Sequence, residues 1–131
     1  MNYIKVQDLD VGSTVEIILH HNYPLEISKT KNGLKWVVSQ NKSGAKSKFV
    51  THVVGRLAST NNDAHTLEFF GGPYSGQGLG RDMPGQGDNY TAGASIPWNY
   101  IMRMWVVTQG EIPVISSSHG RMNIIKTAVK F

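Results

Sequence analysis

The chain has 131 residues, no cysteine and a formal net charge of +4 at pH 7. A chain of this length can bury a hydrophobic core as one domain, and the absence of cysteine excludes disulfides and cysteine-ligated zinc sites. No apolar run approaches the ~20 residues that span a bilayer, and charges within the first ten positions argue against a signal peptide. We therefore expect a single domain over residues 1–131 with no membrane partner, located in the cytoplasm, or in the host cytoplasm or virion if the protein is viral.

The first half of the sequence shows the alternation and the turn residues of short β-strands. A β-branched run after Gly12 ends before Asn22 and Pro24. The Lys-Asn-Gly sequence at 31–33 is a hairpin-turn signal between two further apolar segments. Gly55 interrupts the longest segment and predicts a bend or bulge there. Strands are predicted at 14–19, 25–28, 33–38, 49–58 and 65–70.

The segment 71–93 interrupts this pattern, since eight of its 23 residues are glycine. A segment so rich in glycine cannot bury a core of its own, and we expect a long loop that is mobile in the free protein. Pro97 is compatible with a short helix, or with a turn that leads into a strand at 102–108, which we favour. Two further strands are predicted at 112–115 and 122–129. The expected fold is all-β, a small barrel or sandwich of short antiparallel strands with a long Gly-rich loop.

Two features of the second half of the chain concern which residues lie on the surface or at an interface. The last twenty residues contain Arg121, Lys126 and Lys130 but no acidic residue, so this tail either extends a basic surface or adds as a strand to a neighbouring chain. Several apolar residues after the loop are predicted to be core, with an interface role for one tryptophan as the alternative. They are Ile96, Trp98, Ile101, Met104 and Trp105.

Basic residues are unevenly distributed along the chain. Between Ile27 and Asn62 there is no acidic residue, although seven of the thirteen basic residues lie in that segment. Clustered cations attract polyanions, and the ring of Trp36 among them can stack on an unpaired base. The segment predicts a nucleic-acid-binding surface, and the alternative is a solvated face with Trp36 in the core. The basic residues are Lys29, Lys31, Lys35, Lys42, Lys46, Lys48 and Arg56.

These features predict a non-enzymatic protein that binds single-stranded DNA or RNA through lysine–phosphate contacts and aromatic stacking. The alternative is a structural or assembly protein, such as a viral or phage component, whose Gly-rich loop and C-terminal tail contact neighbouring subunits. A homo-oligomer is expected in either case. In the loop, Tyr74, Arg81 and Tyr90 are the predicted contact residues.

No catalytic constellation is recognisable in the sequence. A Gly-x-Ser-x-Gly elbow is absent, and the glycines at 76–80 lack the strand, helix and acidic residue of a dinucleotide fingerprint. One of the adjacent His20 and His21 could join His52 or His65 at a metal, but turn or surface imidazoles are the simpler interpretation. We expect no enzyme activity, no cofactor and no metal.

One stretch resembles a known family. The segment 53–61 reads Val-Val-Gly-Arg-Leu-Ala-Ser-Thr-Asn and is followed by Leu-Glu-Phe at 67–69. Together these segments are similar to the first signature of Sm-like small barrels, in which an apolar strand bends at a glycine and turns at Asp or Asn. The segment 94–104 looks like the late strand entry of such barrels. His119-Gly120-Arg121 does not reproduce the family's final Arg-Gly element. The resemblance covers about a quarter of the chain and implies a small barrel that binds RNA in a ring.

Overall fold

The computed structural model describes residues 2–30, 33–38, 49–71, 92–110 and 123–131. These ranges consist mainly of β-strands, with short 3-10 turns at Val6–Asp8 and Trp98–Tyr100 and no α-helix. The strands are β1 (Tyr3–Lys5), β2 (Thr14–Leu19), β3 (Leu25–Thr30), β4 (Gly33–Val38), β5 (His52–Asn61), β6 (Thr66–Phe70), β7 (Ala92–Pro97), β8 (Ile101–Gly110) and β9 (Asn123–Lys130).

Seven of these strands form one sheet in the order β1-β9-β8-β2-β5-β6-β7. Neighbours are antiparallel, except that β1 runs parallel to β9. The remaining two strands, β3 and β4, form a separate antiparallel hairpin. The fold is therefore all-β and sandwich-like, with an open mixed sheet and a small second sheet, in agreement with the sandwich alternative of the prediction.

Most predicted strands are confirmed, with shifts at their ends. β2 and β4 have the predicted bounds, β9 is shifted by one residue, and β5 begins at His52 instead of Phe49. The region after Pro97 contains both a 3-10 turn and a strand, one after the other. β1 and β7 were not predicted, since the three residues of β1 carry too little alternation to be recognised and β7 begins within the Gly-rich segment.

Several sequence predictions concern residues outside the described ranges. They are the hairpin turn at 31–32, most of the Gly-rich segment, and the strand at 112–115. The C-terminal end of the Gly-rich segment is described, and it differs from the prediction, because Ala92 and Gly93 already belong to β7.

The hydrophobic core lies between one face of the large sheet and the β3–β4 hairpin. Alternate residues of the central strands point into it, including Ile17 of β2 and Val53 of β5, both fully buried. The hairpin contributes Leu25 and Trp36. Because β-strand side chains alternate between faces, the remaining positions of the central strands lie on the opposite side of the sheet.

Gly55 belongs to this core contact and not to a bulge. It pairs with Val15 in a regular part of the β2–β5 ladder, so the bulge alternative of the prediction is wrong at this residue, whereas the expected clash of an added side chain is confirmed. The ladder shifts register instead between Leu57 and Ser59. A Cβ at Gly55 would lie 2.6 Å from Cζ2 of Trp36, which is far inside van der Waals contact. Glycine is required here because the indole packs directly against the strand.

Candidate nucleic-acid interface

The predicted nucleic-acid-binding residues with described side chains do not form one surface. Lys35 is exposed on β4. Trp36, the next residue, is 5% exposed, and its ring lies 5.3 Å from that of Phe69. A ring so enclosed has no free face for a base, and we do not retain Trp36 as a stacking residue.

Arg56 is the third predicted binding residue with a described side chain, and it makes contacts within the chain. Its Nε donates a hydrogen bond to the carbonyl oxygen of Gly12 at 3.1 Å, and its guanidinium lies 6.0 Å from the centre of the Phe70 ring. Lys29 is in β3, but its side chain lies outside the described part of the structure. The other predicted contact residues also fall outside it: Lys31, Lys42, Lys46, Lys48, Tyr74, Arg81 and Tyr90.

The side of the large sheet that faces away from the core, called the outer face below, carries a different group of cations. Glu16 of β2 pairs with Trp105 of β8, which in turn pairs with Ala128 of β9. Paired residues of adjacent strands point to the same side, so these three positions define the outer face. Residues two positions away share it. The exposed outer-face cations are Lys5, Arg103, Lys126 and Lys130.

Two aromatic rings lie among these cations. Trp105 is half-buried, and Nζ of Lys126 lies 5.5 Å from the centre of its ring. Nζ of Lys130 lies 5.1 Å from the ring of Tyr3, which is 37% exposed. Cation–π attraction favours these positions of the two ammonium groups. Each ring is thus an aromatic surface with a positive charge beside it.

Glu16 is a buried acid in the middle of the outer face. Its side chain is 3% exposed, Nζ of Lys126 lies 2.6 Å from Oε1, and Nε2 of His52 contacts Oε2. The three residues belong to β2, β5 and β9, so the carboxylate connects strands on both sides of its own. Glu68 of β6 is a second acid on this side of the sheet, two strands from Glu16.

The charges around Glu16 determine its ionisation. Burial alone would raise the pKa of the carboxyl, because desolvation disfavours the anion. Hydrogen bonds and positive charge from Lys126 and His52 outweigh burial and hold the pKa below its usual value. Glu16 is therefore ionised at neutral pH, where it holds Lys126 in place.

This shift predicts a loss of stability in acid. A lowered folded-state pKa means that ionised Glu16 stabilises the fold above the unfolded value, near 4.5, and that this contribution disappears as pH falls through the folded-state pKa. We expect Glu16→Gln to cost about 1–2 kcal/mol at pH 7 and to flatten the fall in melting temperature in acid. Glu68→Gln is the matched control, because it makes the same change two strands from Glu16, and Glu16→Gln should flatten the acid profile more than this control does. An unchanged acid profile in Glu16→Gln would contradict the assignment.

A cavity of about 450 Å³ opens where β2 ends beside the start of β8. Arg103 lines it and is also an outer-face cation, so the cavity adjoins that face. Its described lining includes His20, His21, Thr51, Met102 and Arg103. Cationic, aromatic and apolar groups therefore meet at this end of the sheet.

Comparisons with protein-family models, with curated proteins and with solved structures found no match for this chain. The resemblance to Sm-like barrels accordingly stays a prediction. Among the described residues, no group of three or more His, Asp or Glu is placed to hold a metal ion. The same ranges contain no helix that is long and apolar enough to cross a membrane.

The outer face was not predicted as a surface from the sequence. Lys126 and Lys130 were predicted only as part of a basic tail, and Trp105 was predicted to be core, with an interface role for one tryptophan as the alternative. The sequence does contain a pattern that predicts this surface. Arg103 and Trp105 alternate with the buried Met104, and Lys126 and Lys130 are separated by an even number of positions in their strand. Alternation in these two segments would have placed the four side chains on one side of each strand.

Proposed function

We propose that this protein binds single-stranded nucleic acid without catalysing a reaction. The observation that carries the proposal is the outer face, where four exposed cations and two aromatic rings lie on β1, β9 and β8, which are consecutive strands of the sheet. The cations would neutralise backbone phosphates, and unpaired bases would stack on Trp105 and Tyr3. Aromatic residues on a β-sheet surface are a common means of binding single strands.

This surface is largely distinct from the lysine-rich segment that first indicated nucleic-acid binding, because among that segment's basic residues with described side chains only the half-buried Arg56 lies on the outer face. Lys35 lies on the hairpin and points away from the core, because its neighbour Trp36 points into it. The hairpin and the outer face are on opposite sides of that core. We favour the outer face because its cations lie beside accessible aromatic rings, whereas the ring next to Lys35 is buried.

The direct test is a fluorescence-polarisation titration with labelled single-stranded DNA and RNA at about 50 and 200 mM salt. We expect binding that weakens as salt rises and that quenches tryptophan fluorescence. A duplex of the same sequence is the control, and it should bind more weakly because its bases are not free to stack. Absence of salt-sensitive binding to any single strand would overturn the proposal and leave the assembly alternative, which sedimentation would then test.

Trp105→Leu tests the stacking part of the mechanism. We expect it to weaken single-strand binding about tenfold, since stacking on one ring contributes ~1–3 kcal/mol, and to leave the salt dependence nearly unchanged. Trp98→Leu is the matched control, because Trp98 is also half-buried but packs against the core and stacks on His65. Wild-type affinity in Trp105→Leu would exclude this ring from the interface.

A further inference from the structure

The strand that lines the cavity departs from regular pairing at Met102. Ile18 pairs with Arg103 and Leu19 pairs with Ile101, which leaves Met102 without a partner on β2. The side chain of Met102 is 60% exposed. Bulges commonly redirect a side chain near a binding site. Here the irregularity brings a flexible apolar side chain into the lining of the cavity, beside a guanidinium group.

Two histidines supply aromatic surface to the same cavity. The rings of His20 and His21 are stacked, with centroids 4.5 Å apart and planes inclined by 24°. The backbone N–H of Asn22 donates to Nδ1 of His20 at 3.2 Å. Because Nδ1 accepts that bond, the neutral ring carries its proton on Nε2. His20 therefore has an N–H group to donate to an anionic oxygen.

We propose that this cavity binds one nucleotide unit, with the base against Met102 and the stacked imidazoles and the phosphate on Arg103. The cavity volume of about 450 Å³ falls in the usual range for small-molecule sites. A guanidinium is a preferred partner of phosphate oxygens. A bare anion would leave the exposed thioether and the stacked rings without a partner, whereas a nucleotide occupies both parts.

The inference rests on the proposed function, because Arg103 belongs to both surfaces. It lies two residues from Trp105 on the same side of β8. A strand with one nucleotide in the cavity would have its next phosphates beside the outer face. The cavity would thus hold one nucleotide of the strand in a fixed place, while the neighbouring bases stack on the outer face with little dependence on sequence.

The test is NMR titration of the full chain, following the imidazole signals of His20 and His21 and the methyl signal of Met102. The probes are dAMP, deoxyadenosine and inorganic phosphate, each up to ~10 mM because binding of single nucleotides is expected in the millimolar range. We expect dAMP to shift all three sets of signals and to bind more tightly than either fragment. Equal effects of dAMP and inorganic phosphate would overturn the nucleotide assignment in favour of a simple anion site, and no shift with dAMP would overturn the site altogether.

Variants separate the base contact from the phosphate contact. Met102→Ala should weaken dAMP binding several-fold and leave the affinity for inorganic phosphate unchanged. Arg103→Gln should weaken both. Val11→Ala is the control and should not alter dAMP binding, because it also shortens an exposed apolar side chain but lies outside the cavity lining. Equal dAMP affinity of Met102→Ala and wild type would contradict the placement of the base.

The same signals distinguish failure of this inference from failure of the proposed function. If a long single strand quenches tryptophan fluorescence but leaves the His20, His21 and Met102 signals in place, the cavity site is wrong and the outer-face proposal stands. If dAMP shifts the cavity signals but no long strand binds, the nucleotide site stands and the single-strand function is wrong.

Discussion

Gly55→Val is expected to lower the free energy of unfolding by about 3 kcal/mol, at the upper end for overpacked cores. A Cβ at this position would lie 2.6 Å from Cζ2 and 3.1 Å from Cη2 of Trp36. The indole is a large buried ring that also contacts Phe69, so it has little room to move. The measurement is denaturant unfolding of the variant and the wild type.

The sign of this change is diagnostic. In an ordinary strand position, replacing glycine by a β-branched residue favours the strand conformation. Only the close approach of Trp36 makes the substitution unfavourable. An unchanged or raised stability in Gly55→Val would therefore contradict the packing of the hairpin on the large sheet.

A double-mutant cycle attributes the effect to the indole itself. Trp36→Leu removes the ring atoms nearest to Gly55 and is destabilising on its own account, because it leaves a cavity. In that background Gly55→Val should cost at least 1 kcal/mol less than in the wild type, since contacting residues show coupling energies of this size. Additive effects would indicate that another neighbour is responsible for the cost of the valine.

Local alternation explains why most strands were predictable. The period-two pattern of 14–19 and the paired segments around 31–33 carry their own signal, since each strand buries one face against a nearby partner. β1 carries no such signal. It has three residues, and its partner β9 lies more than a hundred positions away along the chain. Its formation depends on parallel pairing with β9, which the sequence around β1 does not predict.

The bulge predicted at Gly55 is wrong for a related reason. A glycine within a strand is compatible either with a bulge or with the close approach of another group, and the sequence around it does not distinguish them. The choice depends on Trp36, which is nineteen positions away on a different sheet. The neighbour Lys35 was informative, because a charged residue at that position indicates that the indole of Trp36 points to the opposite, buried side.

The candidate interface was only partly predictable, because charge density along the chain is not charge density in space. The lysine-rich segment is contiguous in sequence, whereas the outer face combines residues from β1, β8 and β9. Arg103 and Lys130 come together on one surface only after the strands pair. The basic tail pointed to part of this surface, but its aromatic partners Tyr3 and Trp105 lie elsewhere in the chain.

Replacing Lys5, Arg103 and Lys130 with Gln is expected to have the largest effect on binding. Each phosphate contact to a single strand contributes about 0.7 to the slope of log affinity against log salt, so three lost contacts should make the slope shallower by about 2. At ~0.15 M salt this corresponds to an affinity about 50-fold lower. All three side chains are exposed, and such substitutions usually change stability little. Lys126 is left in place because it pairs with Glu16.

The matched control for this variant is Lys42→Gln, Lys46→Gln and Lys48→Gln in one chain. It removes the same number of charges from the lysine-rich segment, so both variants have the same net charge. If the outer face is the binding surface, the first triple variant should lose far more affinity than the second. Equal losses would mean that total charge and not a particular face governs binding, and a larger loss in the second would place the binding surface on the lysine-rich segment. Melting curves of both variants would establish that neither change reflects unfolding.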